Sequence, residues 1–157
     1  QEGGVPQRVE EGFLRRALAI QERELGRDHV YVAYTLFQLG RCLCSAAPAG
    51  AGPKAEEGLA AFTRSLEVRE RELGRNHEDV LRTLHYLAAC GSAAGRVGEA
   101  AEYYRRAVAT EELTLGANHP SVARTLHLFG ACVLRAGRID EGIELLRRAL
   151  EIPEKRE

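Results

Sequence analysis

LGRDH at Leu25–His29, LGRNH at Leu73–His77 and LGANHP at Leu115–Pro120 are one phrase written three times. The second and third copies lie 42 residues apart, the first and second 48, and an insertion accounts for the extra six. A period of this size marks a stacked array of like supersecondary units. It also removes most candidate chemistry, because residues that recur at one place in every unit serve the unit.

The register holds well beyond the phrase. After each copy comes a similar stretch: VAYTLFQLGRCL from Val32, VLRTLHYLAACG from Val80 and VARTLHLFGACV from Val122. Before each comes another: LRRALAIQERELG from Leu14, FTRSLEVRERELG from Phe62 and YRRAVATEELTLG from Tyr104. A fourth copy of the latter, LRRALEI, begins at Leu146. Both types carry apolar residues at helical spacing, as Val80, Leu84, Leu87 and Cys90 show in the first and Tyr104, Ala107, Val108 and Leu115 in the second. The glycine after each leucine suits a helix end that needs a positive φ. Pro120 suits a first helical turn. Gly95-Arg96 and Gly137-Arg138 mark the other break.

The unit is therefore helix, turn, helix, turn. The pattern predicts an all-α fold of about seven helices, over 8–25, 30–46, 54–73, 78–94, 97–115, 120–136 and 139–152. As domains it reads as one array: a partial repeat 8–29, a repeat 30–77 with a loop insertion at 47–53 (APAGAGP), and repeats 78–119 and 120–157. A chain that opens on a second helix reads as a fragment or processed form with more repeats upstream. Small residues recur where helices approach: Gly40, Ala88 and Gly130 in first helices, and Ala17, Ser65, Ala107 and Ala149 in second helices. Glycine inside a helix costs about 1 kcal/mol against alanine, so Gly40 and Gly130 point to packing that excludes a methyl group.

The 157 residues are 45% hydrophobic and 29% charged, enough for one domain core. The net charge of −1 gives no global field for nucleic acid or an anionic membrane, and no apolar run spans a bilayer. Four cysteines are too few and too spread for a disulfide framework, which favours a reducing, cytoplasmic location. The Cys42/Cys44 pair suggests a metal or redox site, but the register argues against it. Cys42, Cys90 and Cys132 share one repeat position and read as separate buried thiols, leaving Cys44 as the likelier reactive one. His29, His77 and His119 read as caps of the following helix. No nucleophile–base–acid set, phosphate loop or paired carboxylate stands out, so the reading includes no catalytic residue, metal or cofactor. The Glu67–Glu72 run reads as i, i+3 and i, i+4 pairs on an exposed helix face. Tyr104 reads as core, and Tyr103 as edge packing or surface.

The phrase Leu115–Leu126 (LGANHPSVARTL), the YYRRA at Tyr103–Ala107 and the AL-I phrases at Ala17–Ile20 and Ala149–Ile152 resemble the tetratricopeptide repeat in its 42-residue form, as in kinesin light chains. The resemblance covers nearly the whole chain. It departs where Val30 and Glu78 replace a proline, and where Gln38, Tyr86 and Leu128 stand in place of an asparagine common in kinesin light chains. It implies a right-handed superhelical solenoid of stacked antiparallel helix pairs, with the first helix of each unit lining a concave groove.

On that assignment the inward residues are Tyr34, Phe37, Gln38 and Arg41 in the first unit. The second gives Arg82, His85, Tyr86 and Ala89, and the third Arg124, His127, Leu128, Ala131 and Arg135. This set holds basic and titratable groups and no acid. Arg82 and Arg124 form one ladder and His85 and His127 another. Arginine forks grip carboxylates and aromatics supply anchor area. The expected role is a non-enzymatic scaffold whose groove binds an extended acidic peptide with a bulky apolar anchor, as the resemblance also implies. Two alternatives stay open: a groove for another kind of partner, and a structural segment that self-associates through its terminal helices.

Overall fold

The computed structural model describes residues 6–47 and 52–153. Among them are seven helices: α1 (Gln7–Leu25), α2 (Val30–Ala46), α3 (Pro53–Leu73), α4 (Glu78–Ala93), α5 (Val97–Leu115), α6 (Pro120–Arg135) and α7 (Ile139–Glu151). The bounds fall within a residue of those read from the repeat. Residues 48–51 of the predicted loop insertion lie outside the described segments. No helix is long and apolar enough to cross a membrane, among the described residues.

The LG-x-x-H phrase works as a relay between a second helix and the next first helix. Gly26, Gly74 and Gly116 take φ of 87°, 87° and 93°, which a side chain would oppose. Three residues on, the histidine ring takes over as N-cap. Nδ1 of His29 accepts from the Tyr31 amide at 3.2 Å, His77 from Asp79 at 3.1 Å and His119 from Ser121 at 3.1 Å. Each ring satisfies an amide that the first helical turn leaves without a carbonyl.

Each helix packs chiefly on its neighbours in the chain. The crossing inside each unit is set by two facing small residues. A methyl added at Gly40 would lie 2.8 Å from the Phe62 ring, and one at Gly58 2.6 Å from Cys44 Sγ and 3.2 Å from the Gly40 carbonyl. Gly130 and Gly142 repeat this: their added methyls would meet Leu146 at 2.9 Å and the Gly130 carbonyl at 3.2 Å. Ala88 and Ala100, both fully buried, hold the same register in the middle unit. The tight crossings expected at Gly40 and Gly130 are present, and each has a partner column on the second helix, Gly58, Ala100 and Gly142, that the sequence reading passed over.

The core runs as a string of clusters along the stack. Phe37, Leu59, Phe62, Leu84 and Leu87 meet between the first two full units, and Ala101, Tyr104, Phe129 and Val133 between the next two. Full burial of each large side chain contributes about 1.5–3 kcal/mol. On the other row of helices an ionic ladder links unit to unit. Arg64 pairs with Glu22 at 2.5 Å, Arg106 with Glu70 and Arg148 with Glu112, the same two positions each time. The Glu67–Glu72 run is therefore more than an exposed face with local pairs. Glu70 bridges to the next unit, while Val68 and Arg69 are buried.

The cysteines also differ from expectation. Cys44 and Cys90 form a disulfide with their Cα atoms 6.4 Å apart, so Cys44 is not a free reactive thiol and Cys90 is not an isolated buried one. Cys42 and Cys132 are free and buried, as read.

Candidate functional site

The first helices α2, α4 and α6 present Tyr34, Arg41, Arg82, Tyr86, Arg124, His127 and Leu128 as exposed side chains, with Gln38, His85 and Ala131 partly covered. They sit there because every first helix buries its Val, Thr-Leu and Gly/Ala positions against the second-helix row, which turns the intervening positions outward. Phe37 departs from the prediction. It is 4% exposed, packed edge-on against Phe62 and Tyr86 at centroid distances of 5.5 and 5.1 Å, and forms floor rather than wall. Arg41 lies over the Tyr86 ring at 5.9 Å and donates to Gln38 Oε1 at 2.9 Å. Arg135, at the far end of α6, donates to the Ser92 hydroxyl and ties α6 to the end of α4.

Two clefts adjoin along α4 and α6 and share His85 and Tyr86. One, of about 500 Å³, is lined by Arg82, Arg124, Ser121, Leu81 and Glu111 as well. The other, of about 240 Å³, is apolar, with Ala89, Tyr104 and Leu128. The arginine ladder and its aromatic neighbours are thus brought together. The histidine ladder is uneven: His85 reaches Glu111, and His127 stays exposed.

The expectation of a face with no acid is corrected in two places. Arg82 pairs with Glu78 at 2.8 Å and approaches Asp79 at 3.6 Å, on its own helix. Beneath the face lies a polar column contributed by the second helices. Gln21 accepts from Thr35 Oγ1 at 2.7 Å. Arg69, 3% exposed, donates to Thr83 Oγ1 at 2.8 Å and to the Asp79 carbonyl at 3.0 Å, with its guanidinium 4.6 Å over the Phe37 ring. Burial pushes the Arg69 pKa down, against the pull of Asp79. Glu111, 2% exposed, holds the same register and meets His85 Nε2 at 3.2 Å through Oε1. Its Oε2, and the hydroxyl of Thr125, its counterpart in register on the next unit, have no partner among the described residues. The signal for this column was present: Gln21, Arg69 and Glu111 are polar in all three copies, each followed by Glu, and each faces the threonine of a TL phrase.

Helices paired by short turns, stacked unit on unit in two rows, define an α-solenoid. Tetratricopeptide repeat models match residues 11–31, 54–111 and 92–155, over half of the chain, and the chain belongs to the tetratricopeptide repeat family. Proteins of this family are in general scaffolds for protein interaction. No curated protein matches the chain. Among solved structures it is similar to a kinesin light chain from Podosopora anserina with nearly identical TPR-like repeats, with 24% identity and a TM-score of 0.78, over 93% of this chain and 66% of that one. It is also similar to BtubC (BKLC) from P. vanneervenii, with 19% identity and a TM-score of 0.79, over 96% of this chain and 61% of that one. The chain thus spans less than two thirds of these proteins, and the likeness is one of fold.

Proposed function

We propose that the α2–α4–α6 face binds an extended acidic peptide segment of a protein partner or cargo, without a catalytic step. The observation that carries this is the adjoining of an arginine-lined cleft and an apolar one across His85 and Tyr86. Arg124 has no ion pair among the described residues, so its guanidinium is open to a carboxylate. The neighbouring cleft between Tyr86, Ala89 and Leu128 suits one bulky apolar side chain. Arg41, Tyr34 and Gln38 extend the face along α2. On this reading the repeats divide at 30–77, 78–119 and 120–157, each starting with a groove helix; a cytoplasmic location goes with a kinesin light chain-like adaptor, but the Cys44–Cys90 disulfide removes the cysteine argument for it.

The chain has no tryptophan, so a peptide with one tryptophan among acidic residues reports its own binding by fluorescence. Saturable binding that weakens with salt and is lost in Arg82→Glu/Arg124→Glu supports the reading. Arg124→Glu alone should account for most of the loss, because Arg82 is already paired. Absence of binding by the wild type overturns it.

A second reading, assembly through the end faces, is favoured by Phe13 at 61% and Leu150 at 87% exposure on the terminal helices. Light scattering tests it: a monomer at tens of micromolar sinks it.

A further inference from the structure

We infer that the α4–α6 cleft selects a side-chain carboxamide, glutamine or asparagine, within the peptide it binds. This rests on the peptide-groove reading and names a specificity point inside it. Glu111 comes from α5, behind the face, and lies at the base of the cleft. His85 occupies Oε1 at 3.2 Å, and Oε2 is buried without a partner among the described residues. A buried carboxylate oxygen left unmatched is costly, about 1–3 kcal/mol or more, and is matched only by a donor.

The depth of Glu111 decides what can reach it. The oxygen lies below the surface, so a peptide backbone stays above it and a side chain must enter. The charges around the cleft decide which one. Glu78 offsets Arg82 at 2.8 Å, which leaves Glu111 Oε2 and the Arg124 guanidinium as the charged groups of the cleft without a partner among the described residues. An ammonium group supplies donors to Glu111 but meets Arg124 with like charge. A carboxylate suits Arg124 but meets Glu111 with like charge. A carboxamide supplies both on one plane: its NH₂ donates to Glu111 Oε2 and its carbonyl accepts from Arg124. A site that hydrogen-bonds a buried polar group rejects analogues that leave it unpaired. The equivalent positions in the two earlier copies are Gln21, engaged by Thr35, and the cation Arg69, engaged by Thr83 and the Asp79 carbonyl, so among the described residues the preference belongs to this cleft.

The test uses an acidic peptide with a single tryptophan, in which one glutamine is moved through each position and compared with glutamate and lysine there. For the wild type, one position should favour glutamine over glutamate by about tenfold, with lysine no better than glutamate. In Glu111→Gln, which can donate to a carboxylate, that ratio should fall to about one. Arg124→Gln, an exposed change, should also shrink it and serves if Glu111→Gln loses helicity. Peptides that bind through Arg124 with no position favouring glutamine overturn this inference and leave the groove reading standing. Preference unchanged in both variants overturns it as well. If no peptide binds the wild type, both fall together.

Discussion

Glu111 pairs with His85 of its own helix pair at 3.2 Å and leaves Thr125, its counterpart in register on the next unit, without a partner among the described residues. Elsewhere the same column closes across to the next unit, Gln21 on Thr35 and Arg69 on Thr83. The third copy of the column therefore breaks a bonding pattern that the other two keep, and the break lies directly under the arginine-lined cleft.

The threonine column should respond unevenly to an isosteric change. Thr83 accepts from Arg69 and donates to the Asp79 carbonyl at 2.7 Å, so Thr83→Val should cost about 2–3 kcal/mol. Thr125→Val removes a hydroxyl with no partner among the described residues and should cost less than about 0.5 kcal/mol, or stabilise. Urea unfolding of the two variants measures the difference.

Arg69 carries a buried charge with hydrogen bonds and an aromatic face but, among the described residues, no carboxylate in ion-pair contact. Arg69→Met keeps most of the volume and removes the desolvation cost, so it should fall within about 1 kcal/mol of wild type. Arg69→Ala also opens space beneath Phe37 and should lose about 2–4 kcal/mol. Equal losses in the two would show that the charge, not the packing, matters.

The helix crossings predict an asymmetric swap. Gly40→Ala puts a methyl 2.8 Å from the Phe62 ring and should cost about 1–3 kcal/mol despite the better helix propensity of alanine. Ala88→Gly, at the equivalent position, should cost about 2 kcal/mol, from propensity and a lost buried methyl. Thermal melts rank the two.

Acid should loosen the first helix before the rest. Glu11 is held below the ordinary glutamate range by hydrogen bonds from Lys54 and then Arg15, and Glu57 by its bond from Arg15. Groups that ionise more readily when folded stabilise the fold above their unfolded pKa, and that contribution fades as pH falls through the folded value. These links join α1 to α3, so protection of α1 amides from hydrogen exchange should drop below about pH 4. Glu11→Gln should show weakened protection already at pH 7.

The helix bounds, the histidine caps and the tight glycine crossings were legible because each recurs in register, and three copies of LG-x-x-H expose the rule. What lies between units was less so. Phe37 shares its register with His85 and His127, yet sits in the core because Tyr86 and Arg69 close over it. Cys44 and Cys90 occupy different repeat positions, and only the offset between adjacent first helices brings them within 6.4 Å. That offset is a property of packed helices, which a linear repeat does not encode. Glu111 stands outside the predicted inner face because it comes from a second helix, α5, and reaches the cleft from behind.

The Cys44–Cys90 bond has a mechanical consequence. It closes a loop across a sequence separation of 46 that contains α3 and most of α4. A pull on the two ends of the oxidised chain bypasses that loop, and its links stay slack. At about 3.5 Å per residue, roughly 160 Å of contour length stays hidden until a reductant cuts the staple. The array would thus be shorter at full extension in an oxidising setting than in a reducing one.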